Sequence, residues 1–204
     1  MHIRYIDKTE HLLPLGYLYL IIMGIIKESV FFFQIGINIL TYSSIMDILI
    51  SPIATFASNP VILVTIILTF IFFYYLPQLI LKNEHKHWVR KSFELDKIKD
   101  DLSEESKKQH YTSISIKTLA VFLISIFLGY GLYGGYDTSQ KIKNNKLNYG
   151  YKLNYNSGES ENVFIINSNT EYYFYVAKGS QTIKIAPVAS IKNIELTKNK
   201  ILNQ

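Results

Sequence analysis

The chain of 204 residues has a formal net charge of +5, contains 49% hydrophobic residues and has no cysteine. The missing cysteine excludes disulfide bonds and thiolate chemistry. The positive charge comes mainly from lysines dispersed among carboxylates, which argues against nucleic acid as a partner.

Three apolar blocks are long enough to cross a bilayer, which requires roughly 20 mostly apolar residues in a helix. We predict spans at residues 12–33, 60–81 and 117–135. Ahead of the second span, Asn59 and Pro60 form a favourable helix start, with Asn as the cap and Pro in the first turn. The sequence therefore predicts an α-helical membrane bundle whose first partner is the lipid bilayer.

Lysine and arginine are distributed unevenly around these spans. The connector at residues 82–116 is rich in lysine and also contains Arg90, whereas residues 34–59 contain neither lysine nor arginine. Because cytoplasmic loops carry an excess of Lys and Arg, we expect the connector and the N-terminal head, residues 1–11, to be cytoplasmic. After three crossings the C-terminal region is extracytoplasmic. The abundance of Ile, Asn, Lys and Tyr is typical of AT-rich bacterial genomes, so we predict the inner membrane of a bacterial cell.

The segment at residues 42–57 is too apolar for an ordinary loop and is interrupted by Pro52. Ser44 is a suitable cap for a short helix here. Asp47 is the segment's one ionisable acid. We expect this segment to lie in the outer membrane interface or to dip back among the helices.

The connector combines charges of both signs with apolar residues at heptad spacing. Trp88, Leu95 and Leu102 recur every seven residues, with Ile98 between them. This pattern predicts an amphipathic helix. Three positions remain open for its apolar stripe: on the membrane surface, on the span ends, or against a second copy of the chain.

Beyond a linker at residues 136–147, the sequence changes to short runs rich in β-branched and aromatic residues. We predict strands at residues 148–156, 162–168, 171–177, 181–187 and 191–197. Five short strands separated by turn residues predict a small all-β domain at 148–204, an SH3-like barrel or sandwich. Tyr172, Tyr173 and Tyr175 either form a recognition surface for a protein partner or fill and rim the small core.

Two charged residues, Lys27 and Glu28, fall inside the first apolar block, where each costs about 2.5–3.5 kcal/mol on insertion scales. In one interpretation they mark the outer interface, with Glu28 in contact with water. In a second they bind each other or Asp47 and fix the interfacial segment. In a third they line a polar path with Gln34 and Asn38. Adjacent positions on a helix point about 100° apart, which argues against a tight mutual pair.

Gly131 and Gly135 are spaced so that two helices can approach closely. The alternative is that they loosen the exit from the third span. A homo-oligomer is one assembly that such a close approach permits.

No pattern of catalytic, cofactor-binding or metal-binding residues is present. His85 and His87 are two residues apart, whereas a helical metal pair requires a spacing of three or four. We therefore expect neither enzymatic activity, nor a cofactor, nor a metal. The leading hypothesis is a membrane protein whose β domain binds, senses or assembles. The alternative is a homo-oligomeric channel or pore-forming effector, in stress response or anti-phage defence.

Overall fold

The computed structural model describes residues 12–93, 95 and 103–197 of the chain. The helices are α1 (Leu12–Phe33), α2 (Ile45–Ser58), α3 (Pro60–Lys82), α4 (His87–Ser92) and α5 (Glu104–Lys143). Five strands follow α5. The chain divides into two compact units, one built from residues 1–52 and 127–204, the other from residues 53–126. The predicted N-terminal head lies outside the described residues.

Three helices of the described part, α1, α3 and α5, are long and apolar enough to cross a membrane. They coincide with the three predicted apolar blocks, and together they indicate a membrane protein. The predicted start of α3 is confirmed, since Asn59 Oδ1 accepts hydrogen bonds from the amides of Val61 and Ile62. The helix continues through Pro77 and ends at Lys82.

Helix α5 is longer at both ends than the predicted span. It has 40 residues, so most of the predicted linker at 136–147 is helical. Its first turn carries Glu104 and Glu105 and its last turn Lys141 and Lys143, an arrangement that favours both helix ends electrostatically. The helix ends at Lys143, and Asn145, two residues further on, has a left-handed φ of 52°.

The prediction of one amphipathic connector helix is wrong. A turn that begins at Asn83, the C-cap of α3, separates α3 from α4, and α4 covers six residues. Trp88 is 62% exposed whereas Leu95 is 2% exposed, so these two residues do not share an apolar stripe. Leu102 and Ile98 lie outside the described residues.

The C-terminal domain is an antiparallel sheet with the strand order β4-β3-β2-β1-β5. Its strands are β1 (Tyr151–Tyr155), β2 (Ser160–Ser168), β3 (Tyr172–Ala177), β4 (Ile183–Pro187) and β5 (Ile191–Leu196). All five predicted strands are confirmed. The sheet is open, with β4 and β5 at its edges, so closure into an SH3-like barrel is not confirmed. Gly158 and Gly179 adopt positive φ values in two of the hairpin turns, a conformation that glycine adopts at low cost.

The two faces of the sheet have different partners. One face forms a core of its own around Leu153 and Val163, both fully buried. On the other face, Phe174 packs against Phe32 of α1, and Val176 packs against Ile142 near the end of α5. The Phe32 and Phe174 rings meet edge to face at 4.9 Å. The β domain is therefore packed directly on the end of α1 and is not a separate module on a linker.

The proposed tyrosine surface requires a correction. Tyr175 is 4% exposed and belongs to the core of the β domain. Tyr172 and Tyr173 are half-buried, with the Tyr172 ring edge to face on Tyr42. Because β3 is the second strand from the edge and both its faces are covered, these rings fill the core and its rim.

Candidate functional site

An ion pair lies near the C-terminal end of α1. Lys27 Nζ is 2.8 Å from Glu28 Oε1. The two side chains are only 12% and 10% exposed. The expectation that neighbouring helix positions would not form a tight pair is wrong, because the long, flexible lysine stem bridges the angle between them. Since Glu28 is buried, the interpretation in which it meets water does not describe this structure.

Two residues from other elements complete this cluster, which we call the Glu28 cluster: Lys27, Glu28, Ser51 and Asn167. The Ser51 hydroxyl in α2 accepts a hydrogen bond from Lys27 Nζ at 2.8 Å. It donates to Glu28 Oε1. From strand β2, Asn167 Nδ2 donates to Glu28 Oε2 at 3.3 Å. Both carboxylate oxygens therefore have donors, which offsets much of the cost of burying the charge.

A third helix, α5, also contacts the cluster. The Tyr130 ring lies 5.9 Å from Lys27 Nζ, within the range of a cation–π interaction. The neighbouring Ser29 hydroxyl, in contrast, is buried with no hydrogen-bond partner in the described part of the chain. Beside the compensated ion pair of the Glu28 cluster, α1 thus holds one polar group that is uncompensated within the described residues.

Near the cluster, the backbones of α2 and α5 come close to the backbone of α1. A Cβ atom added at Gly131 would lie 2.7 Å from the carbonyl oxygen of Lys27, and one at Gly135 would lie 2.4 Å from that of Phe31. At Gly24, an added Cβ would be 2.0 Å from the carbonyl oxygen of Ile48 in α2. Glycine at these three positions lets α2 and α5 approach α1 closely enough to enclose the ion pair.

Asp47 lies outside the Glu28 cluster and has a different role. Ser44 and Asp47 form a reciprocal cap at the start of α2: the amide of Ser44 donates to Asp47 Oδ2, and the amide of Asp47 donates to Ser44 Oγ. Both the amide and the hydroxyl of Thr170, before strand β3, also donate to this carboxylate. Partial burial acts to raise the pKa of Asp47, but the hydrogen bonds from Ser44 and Thr170 outweigh it and the pKa is lowered. Asp47 therefore stays ionised while it joins α2 to the β domain.

The other two residues of the predicted polar path do not lie on the helix. Gln34 and Asn38 follow the end of α1 at Phe33. Gly36, with a φ of 78°, ends the helix, and the amide of Ile37 donates to the carbonyl oxygen of Phe32. This helix-ending motif turns the chain away, so the charges of Lys27 and Glu28 are not continued along α1 by these polar side chains.

A second charged group lies within the β domain. Tyr155 donates to Glu161 Oε2 at 2.8 Å, and Lys184 Nζ lies 2.5 Å from Glu161 Oε1. The hydrogen bond from Lys184 is the main reason that the pKa of Glu161 is lowered, and the same bond raises the pKa of Lys184. Burial and the hydrogen bonds to Tyr175 and Glu161 raise the pKa of Tyr155. These groups satisfy one another and stabilise the arrangement of the first four strands.

Sequence reasoning missed four contributors to the site: Ser51, Asn167, Tyr130 and Gly24. Each belongs to a different element from the residue it contacts. The signal for Gly24 was a glycine four residues before Glu28 in an otherwise apolar helix. No comparable signal marked Ser51 or Asn167, since one polar residue in a short helix or strand is common.

The described residues contain no group of three or more His, Cys, Asp or Glu side chains that could hold a metal ion. No protein-family model, curated protein or solved structure matches the chain at a significant level. The Glu28 cluster, a charged group enclosed where the β domain meets α1, therefore carries the functional inference alone.

Proposed function

We propose that the chain is a non-enzymatic membrane protein of the bacterial inner membrane whose β domain is a binding, sensing or assembly module. The observation that supports this most strongly is the hydrogen bond from Asn167 in the β domain to Glu28 in α1. Through it, a displacement of the β domain changes the partners of a buried charge in an apolar helix.

The free energy of the hydrogen bond between Asn167 and Glu28 is of the size needed to transmit a signal from the β domain to α1. If Asn167 moves out of hydrogen-bonding distance, Glu28 Oε2 loses a donor in a buried site, at a cost of about 1–3 kcal/mol. A coupling free energy of this size changes a binding equilibrium roughly 5–150-fold. Ligand binding to the β domain would therefore alter the packing of α1 against α2 and α5.

The experiment uses the full chain in lipid nanodiscs. Because the chain has no cysteine, an environment-sensitive dye is attached to a single Ile25→Cys in α1. Soluble cell-wall glycan fragments and total envelope protein are added as probes. We expect one of them to bind and to change the dye emission, and Asn167→Leu to abolish the emission change while binding persists.

Two other results would contradict the proposal in different ways. If a probe binds but the dye emission does not change, the chain is a membrane-anchored binding protein. That result would refute the coupling between the β domain and α1. If neither probe binds a folded, monodisperse chain, the module itself is refuted. Asn193→Leu, on β5 and exposed, is the matched control and should leave the emission change intact.

The asymmetry of lysine and arginine supports a β domain outside the cytoplasmic membrane and a cytoplasmic connector. In that orientation, the ligands available to the β domain are envelope proteins, glycans and polymers. We also propose that α2 dips back among the helices. Its contacts with α1 support this: Gly24 meets Ile48 and Glu28 meets Ser51, so α2 runs alongside α1 in the same direction. A helix lying flat in the outer interface would instead cross α1 at a single level near its end.

A homo-oligomeric channel or pore-forming effector is the second candidate. The observation that favours it is the buried hydroxyl of Ser29, adjacent to Glu28 in α1, which has no hydrogen-bond partner among the described residues. A polar group of this kind is suited to a hydrated path. The closed ion pair supports it less well. This candidate requires ion flux through the reconstituted chain that changes in Glu28→Gln, whereas a monomer without flux would refute it.

A further inference from the structure

The short helix α4 is fixed beside the C-terminal end of α3. Its residue Val89 is 2% exposed and packs in a cluster with Ile80 and Tyr111. The turn before α4 is held by Glu84, which accepts a hydrogen bond from the Tyr111 hydroxyl at 2.9 Å. Lys107 Nζ lies 3.3 Å from the other oxygen of Glu84. The position of α4 is thus set within a few residues of the end of a membrane-spanning helix.

The remaining surface of α4 and its flanks is basic and carries a large aromatic side chain. Residues 82–93 contain four lysines and arginines, Lys82, Lys86, Arg90 and Lys91, and one acidic residue, Glu84. Glu84 is engaged by α5, which leaves the positive charge in excess. The three lysines are exposed, and Trp88 between them is 62% exposed.

We propose that residues 82–93 form a binding site for anionic phospholipid headgroups, with Trp88 inserted at the level of the headgroups. The bilayer is the occupant because the site begins at the last residue of α3 and Val89 holds it there. Basic clusters next to a membrane span attract anionic lipid, at about five-fold in affinity for each lysine near the surface. Tryptophan is enriched at the same depth, where its ring is apolar and its N–H is hydrated.

The experiment uses the fact that Trp88 is the sole tryptophan of the chain. The full chain is placed in nanodiscs that contain an equal mole fraction of brominated phosphatidylglycerol or brominated phosphatidylcholine. Tryptophan fluorescence is excited at wavelengths where tyrosine does not absorb. We expect brominated phosphatidylglycerol to quench Trp88 more strongly, and aqueous iodide to quench it weakly.

Charge variants test the headgroup contact. In Lys86→Gln/Lys91→Gln, the preference for the anionic lipid should fall by about 25-fold, five-fold for each lysine, and high salt should weaken the preference of the native chain. Lys178→Gln/Lys192→Gln removes two exposed lysines of the β domain and should leave the preference unchanged. Two depth standards in a Trp88→Phe background are Phe70→Trp in α3 and Lys178→Trp in the β domain.

Three different quenching results would each refute the proposal. Equal quenching by both lipids would refute the anionic site. Strong quenching by iodide with none by either lipid, as for the Lys178→Trp standard, would refute the position at the membrane. Protection from both iodide and lipid would show that protein covers Trp88, and would also refute the proposal. None of these results depends on whether the β domain binds a ligand.

Discussion

Glu28→Ala is expected to lower the free energy of unfolding by about 3–5 kcal/mol, since it leaves the Lys27 ammonium buried without its counterion. Two further hydrogen bonds to the carboxylate, from Ser51 and Asn167, are lost with it. The measurement is an unfolding titration of the full chain in mixed micelles, followed by circular dichroism. The double variant Lys27→Met/Glu28→Gln should recover much of the loss, because removing both charges also removes their desolvation cost.

The matched control is an exposed ion pair in α5. Lys141 and Asp137 are 48% and 38% exposed and lie 2.5 Å apart. Asp137→Ala should cost only about 0.3–0.5 kcal/mol, as is usual for an exposed pair one helical turn apart. If Glu28→Ala costs no more than Asp137→Ala, or if the double variant is as unstable as the sum of its single changes, the Glu28 cluster does not hold the helices together.

Gly135→Ala is expected to destabilise the chain by about 1–3 kcal/mol, the usual cost of overpacking. The added methyl group would lie 2.4 Å from the carbonyl oxygen of Phe31, so the backbones of α1 and α5 would have to separate. Gly24→Ala should cost at least as much, since its methyl group would lie 2.0 Å from a carbonyl oxygen of α2. Thermal unfolding in detergent measures both.

Gly129→Ala provides the control within the same helix, because a methyl group at that position would meet open space in the described structure. Alanine is a better helix former than glycine by about 1 kcal/mol. This variant should therefore be neutral or stabilising. A loss of stability in Gly129→Ala equal to that in Gly135→Ala would mean that glycine acts through flexibility of α5, and not through the close approach to α1.

The helices and strands could be predicted because local signals agree with the fold. A run of apolar residues behind Asn59 and Pro60 specifies α3 without reference to other parts of the chain. Turn residues such as Gly158 and Gly179 mark where β-hairpins reverse. The bounds of α5 could not be predicted from the apolar block alone. The charged and polar residues on both sides of that block are also helical.

The Glu28 cluster could not be predicted from the sequence because strand β2 contains an irregularity in its pairing. Val163 and Ile165 belong to the face that forms the separate core of the β domain, and strict alternation would place Asn167 on that face. The register of β2 against β3 shifts between Ile165 and Asn167, so that Asn167 pairs with Phe174. Because directly opposed residues share a face, this bulge turns Asn167 towards α1. Residues 163–166 are all apolar, so no alternation in the sequence marks where this bulge occurs.

In the connector the error was different: a regular heptad spacing in the sequence did not correspond to one face of a helix. The heptad spacing of Trp88 and Leu95 suggested one stripe, but the turn at Asn83 and the end of α4 at Ser92 break the helix. Spacing indicates a common face only where the backbone is continuous. In the structure, Leu95 joins the core and Trp88 faces outward.

We propose that three crossings place the connector and the β domain on opposite sides of one membrane, and the most direct test of this topology is cysteine labelling in intact cells. Ser103→Cys and Ser157→Cys are introduced separately into the cysteine-free chain at exposed positions, and a membrane-impermeant maleimide is added before and after lysis. We expect Ser157→Cys to react in intact cells and Ser103→Cys to react only after lysis. Labelling of both positions from one side, or of Ser103→Cys alone in intact cells, would contradict the account.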